Sequence, residues 1–148
     1  MIQRKQTLFL ILAFVLMVVC MSTQLATLVG NNGIAFANVY NLWLTDGQGS
    51  HSLTAAPLFV MLLLSALLSL VTIFMYMKRK LQAKLCVVQM FVLLGWYVFL
   101  AVLPQYVGGQ MNLRWPVVLP AVCIILTFMA RKGIVADEKL VRSLDRIR

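Results

Sequence analysis

The sequence predicts an all-α membrane protein: an antiparallel bundle of four transmembrane helices with both termini cytoplasmic. A small extracytoplasmic β-hairpin or cap and an amphipathic C-terminal helix complete it. Three observations carry this prediction. Of 148 residues, 62% are hydrophobic and only 11% charged, where an ordinary soluble domain has roughly half and a quarter. With a mean hydropathy of +0.93, such an excess has no place in a small water-soluble core. Second, Lys78, Arg79, Lys80 and Lys84 are packed together between two long apolar runs, and a charge at the centre of a bilayer is costly. Third, the cations divide by side. With that hairpin inside, Arg4, Lys5, the hairpin's own four, Arg131, Lys132, Lys139, Arg142, Arg146 and Arg148 all become cytoplasmic. Only Arg114 of the thirteen Lys and Arg residues stays outside, as the positive-inside rule requires. The net charge of +9 therefore reads as a topology signal, and nucleic acid is disfavoured as a partner.

Residues 1–132 are assigned to the transmembrane domain and 133–148 to a basic cytoplasmic tail helix. The first span covers residues 7–29, a charge-free run about 34 Å long as a helix. That is enough for a hydrocarbon core of about 30 Å, and too long for the apolar core of a signal peptide. It is read as a retained helix, despite the Ala35-Phe36-Ala37 triplet that follows. Ser22, Ala26 and Gly30 recur at every fourth position. They mark either a helix-packing seam or the small residues common to all membrane helices.

The external loop 30–56 opens on the turn-forming Asn31-Asn32-Gly33. Rough alternation over 34–44 predicts a short strand, paired near 52–54 across Asp46-Gly47-Gln48-Gly49. Phe36, Tyr40 and Trp43 serve there as strand residues or as interfacial anchors. The second span, 58–77, is entered through Pro57, which a first helical turn tolerates. Ser65, Ser69, Thr72 and Tyr76 form a polar stripe on it that should face the bundle. The stripe either lines a solute pathway or bonds across helices and back to its own carbonyls. The basic hairpin then turns tightly, which makes its flanking helices antiparallel neighbours. The third span runs over 85–103 and is closed by Pro104, with Gln89 near its inner end and Trp96 and Tyr97 as packing residues. After the external loop 104–115, turned by Gly108-Gly109, the fourth span covers 111–130, its outer half loosened by Pro120.

Little in the chain resembles chemistry. Cys20, Cys86 and Cys123 fall in or beside apolar runs without a paired spacing, and read as small apolar fillers. His51 has Asp46 nearby but no cysteine, and a solvated loop histidine is the simpler reading than a ligand. No metal or other cofactor is implied, and no acid–base or nucleophile–base constellation is visible. The spans also lack the mid-helix carboxylate that proton-coupled transport uses. The expected function is a non-catalytic accessory or scaffold subunit binding another membrane protein or anionic lipid. The alternative is a small oligomeric transporter or channel.

The candidate docking residues are Lys139, Leu140, Arg142, Leu144, Arg146 and Ile147. In a helix begun by Asp137 as N-cap, Leu140, Val141, Leu144 and Ile147 share one face and the cations lie opposite. Such a helix suits an anionic leaflet or a protein partner; a frayed, solvated tail is the plainer alternative. Lys78, Arg79, Lys80 and Lys84 are read mostly as topology determinants that need no partner. The expected partners are the bilayer, anionic headgroups at its cytoplasmic face, and a membrane protein or a second copy of the chain.

The opening Met1-Ile2-Gln3-Arg4-Lys5-Gln6-Thr7-Leu8 and the closing Asp137-Glu138-Lys139-Leu140-Val141-Arg142-Ser143-Leu144-Asp145-Arg146-Ile147-Arg148 resemble a Bacteroidetes family of small four-helix membrane proteins, the domain of unknown function 4293. The resemblance covers the whole chain. It implies a bacterial inner-membrane location and supplies no activity, ligand or catalytic residue.

Overall fold

The computed structural model describes residues 3–30, 32–75 and 78–145, with the side chains of all of these except 3–5, 142, 144 and 145. Four α-helices, α1 (Gln3–Ser22), α2 (Ala56–Phe74), α3 (Arg79–Val107) and α4 (Leu119–Asp145), are joined by five short strands, four between α1 and α2 and one between α3 and α4. The strands are β1 (Gln24–Val29), β2 (Ala35–Tyr40), β3 (Leu44–Asp46), β4 (His51–Ser52) and β5 (Gln110–Leu113). Each of α1 and α3 packs on both α2 and α4, so the helices close a four-membered ring. All strand pairings are antiparallel, in the order β4-β3-β2-β1-β5. The sheet sits where α1 and α3 end and α2 and α4 begin. The start of α1, the basic hairpin and the end of α4 meet at the opposite end.

The outer surface of the bundle is apolar, and its largely apolar interior also encloses polar side chains. Ser65, Ser69, Thr72, Gln89 and Thr127 are buried, while Leu8, Val60, Leu67, Phe91, Val98 and Ile125 are exposed on its outer surface. Water would penalise such a surface over the full height of the bundle. Hydrocarbon would not, and buried hydroxyls and amides then become the groups that gain from helix association. Leu53–Phe74, Arg79–Val107 and Trp115–Val141 are each long and apolar enough to cross a membrane; the apolar part of α1, Gln6–Ser22, is shorter.

Several expected boundaries are corrected here. The first span does not run over 7–29: α1 stops at Ser22, and residues 24–29 are β1. Its 20 residues make about 30 Å of helix only when the polar start is included. Sheet pairing overrides the apolar run, because β1 is bonded on one side to β2 and on the other to β5. The seam of Ser22, Ala26 and Gly30 therefore does not exist as a helical face. Ser22 donates back to the Val18 carbonyl at 3.2 Å, Ala26 is buried in β1, and Gly30 is in the turn after it.

The expected strand over 34–44 is two, broken over 41–43, and the pairing across Asp46-Gly47-Gln48-Gly49 sets Leu44 opposite Ser52 and Thr45 opposite His51, whereas Leu53 and Thr54 of the expected partner lie in a 3-10 turn. Pro104 lies inside α3, which ends three residues later at Val107, before Gly108 at φ +80°. Residues 111–113 belong to β5, so the fourth helix starts later and ends later than 111–130. Finally, the tail is no separate helix. α4 continues through Gly133 to Asp145, and Asp137 is an interior, buried residue of it rather than an N-cap.

Candidate functional site

The continuity of α4 follows from what Gly133 admits. A Cβ at Gly133 would lie 2.9 Å from Gln6 Cγ, so the glycine allows α1 to approach closely at this level. Gln6 Nε2 then reaches one turn further and donates to Asp137 Oδ2 at 2.7 Å, a buried bond. From the other side, Arg79 Nη1 donates to the main-chain carbonyl of Asp137 at 3.2 Å. Gln82, one turn into α3, donates to the Thr72 carbonyl at 3.1 Å. That carbonyl is in the last turn of α2, where no intrahelical donor remains. The hairpin's arginine and the C-terminal part of α4 are thus held together at the basic end, although far apart in sequence.

Their junction forms a groove of about 560 Å³ lined by Lys78, Arg79, Lys80, Leu81, Glu138 and Val141. Lys78 and Lys80 are exposed and Arg79 is half-buried. Leu81 and Val141 present apolar surface beside them. Ammonium and guanidinium groups bind phosphate oxygens through charge-assisted hydrogen bonds. A groove with cations and exposed aliphatic walls matches the boundary between a phosphate headgroup and its acyl chains.

Of the expected docking residues, none whose side chain is described lines the groove; Lys139 and Leu140 are exposed on α4. The side chains of Arg142 and Leu144 are outside the described set, and Arg146 and Ile147 lie outside the described residues. Lys84 is exposed on α3 but is not a groove residue. Three of the hairpin's cations line the same surface as Glu138 and Val141 of α4. Nothing local in sequence pairs Gln6 or Arg79 with Asp137.

The polar stripe of α2 faces the bundle as expected. Ser69 donates across to the Leu10 carbonyl of α1 at 3.0 Å, and Thr72 donates back to the Leu68 carbonyl at 2.6 Å. Tyr76 lies outside the described residues. At the sheet end, Asn41 joins four elements. Its Nδ2 donates to the Cys20 carbonyl at 2.6 Å, Trp96 Nε1 donates to its Oδ1 at 3.2 Å, and Phe59 N–H donates to its main-chain carbonyl at 3.1 Å. The three cysteines are free and buried. His51 is exposed on β4, its ring edge-on to Trp43 at 5.8 Å between centroids. Among the described residues, no three His, Cys, Asp or Glu side chains gather into a metal-binding group.

The profile of a family described as a domain of unknown function, DUF4293, matches residues 2–147. The chain belongs to that family. The match spans both the sheet and the basic end, so neither is an appendage peculiar to one half of this DUF4293 chain. No curated protein matches it significantly.

Proposed function

We propose that the protein is a non-catalytic integral protein of the bacterial inner membrane, with both termini cytoplasmic, acting as an accessory or scaffold subunit. It engages anionic headgroups through the basic groove and binds another membrane protein alongside. The observation that carries this reading is the convergence of Lys78, Arg79 and Lys80 with Glu138 and Val141 of α4 in one groove. Positive charge gathered where apolar helices leave the membrane attracts anionic lipid at about 1 kcal/mol per cation near the surface. The distribution of cations by side supports the cytoplasmic placement of that end.

Mild crosslinking in native membranes, followed by capture and quantitative protein identification, tests the accessory role. A membrane-protein partner in near-stoichiometric yield is expected, with the yield reduced in Lys78→Gln/Lys80→Gln. Recovery of the chain alone, or only with abundant bystanders, contradicts it.

A second reading, a small oligomeric transporter, is favoured by the buried polar residues of the bundle, Ser65, Ser69, Gln89 and Thr127. Saturable solute flux in proteoliposomes, abolished by Ser69→Leu, would put that reading first.

A further inference from the structure

Two polar side chains at mid-bundle have no hydrogen-bond partner among the described residues. Ser65 Oγ, and both Oε1 and Nε2 of Gln89, are buried and unbonded, and both residues are fully shielded. Their neighbours on the same stripes are satisfied: Ser69 and Thr72 on α2, and Gln82 on α3. The orphan groups lie at one level. Gln82 of α3 bonds the Thr72 carbonyl of α2. Two helical turns onward along α3 comes Gln89, and two turns back along antiparallel α2 comes Ser65. Further out, a Cβ at Gly95 would stand 3.9 Å from Met61 Cε, so the register holds on both sides of the pair.

We propose that Gln89 and Ser65 hold a bound water molecule in the α2–α3 seam. The chemistry selects the guest. Gln89 offers one acceptor and a donor, and the Ser65 hydroxyl serves as either. Both residues are neutral, and water donates and accepts at once. Three protein groups also match the roughly three hydrogen bonds that a buried water makes. Hydrocarbon leaves no bulk water to relieve these groups, so the polar pair needs a resident partner. The site is independent of the accessory reading and of the groove.

The test uses the full-length protein in lipid nanodiscs, labelled with nitrogen-15 at glutamine side chains. The Gln89 amide signal is assigned by its loss in Gln89→Leu. A direct magnetisation transfer between the Gln89 amide protons and water is expected in the wild type, reduced several-fold in Ser65→Ala. Transfer from Gln89 only to protein protons, as when its amide bonds Ser65 directly, overturns the proposal. So does a water contact that Ser65→Ala leaves unchanged. Loss of the same signal in Gln89→Met gives an independent assignment, so the wild-type spectrum decides the main question even where the leucine variant folds poorly.

Discussion

Asn41 ties the sheet end to α1, α2 and α3, and its value lies in the groups it would orphan. Replacing it with alanine leaves the Trp96 indole N–H buried without its acceptor and removes one donor from the Cys20 carbonyl. Each buried unmade bond costs about 1–3 kcal/mol, so Asn41→Ala is expected to destabilise the protein by about 2–4 kcal/mol. Thermal unfolding in detergent measures this, with Trp96 fluorescence as the local reporter. The glycine pair before β5 makes a finer comparison. Gly108 and Gly109 both have positive φ, but a Cβ at Gly109 would come 2.8 Å from the Val29 carbonyl oxygen, whereas Gly108 faces open space. Alanine at either site strains the backbone by about 1–3 kcal/mol. Gly109→Ala is expected to lower the melting temperature distinctly further than Gly108→Ala, because it also forces β5 away from β1. The sequence marked Gly108-Gly109 as a turn but could not rank the two. Asn41 was invisible for a similar reason: its partners come from α1, α2 and α3, none of which is local.

At the scale of elements, helix α2, the antiparallel hairpin and the pairing around Asp46–Gly49 were legible because each rests on local chemistry. Proline in a first turn, four cations in a tight connection, and glycines between alternating residues are all short-range signals. The strand β1 was not. Its buried residues, Leu25, Ala26 and Leu28, break period two, and the pairing with β2 is irregular at both of its ends. The run therefore reads as more apolar helix. Helix α4 misled in the opposite sense. Gly133 looks like a boundary until α1 is seen packed against it, and Asp137 looks like a cap until Gln6 is seen bonding it. Asp137→Leu is accordingly expected to cost about 2–3 kcal/mol, in line with a lost buried hydrogen bond to a carboxyl group. Asp137→Asn, which keeps an acceptor oxygen for Gln6, should lose much less. Equal losses in chemical denaturation would show that the Gln6 bond does not position α4.

For the whole molecule, the apolar exterior suits lipid as the solvent, and the proposed orientation rests on the distribution of the cations. Because Cys20, Cys86 and Cys123 are buried, the native thiols should stay unlabelled by a membrane-impermeant maleimide until the protein is unfolded. Single introduced cysteines then report sidedness against a silent background. Ser50→Cys, beside β4, should label in right-side-out membrane vesicles. Ser143→Cys, near the end of α4, should label only after permeabilisation. Both positions are exposed, so the reverse pattern would invert the topology. How the two ends of the bundle differ in role was only partly readable. The sequence separates the cations by side, while the meeting of hairpin and α4 in one groove depends on helix register.

Binding of anionic phospholipid at that groove is the most direct point to measure. Purified protein titrated with phosphatidylglycerol or phosphatidylcholine and read by native mass spectrometry gives both affinities in one experiment. The predicted result is at least a tenfold preference for phosphatidylglycerol, about 1.4 kcal/mol, that disappears in Lys78→Gln/Lys80→Gln and survives in Lys84→Gln. Equal binding of the two lipids, or a preference that persists in the double variant, would contradict a headgroup site between the hairpin and α4.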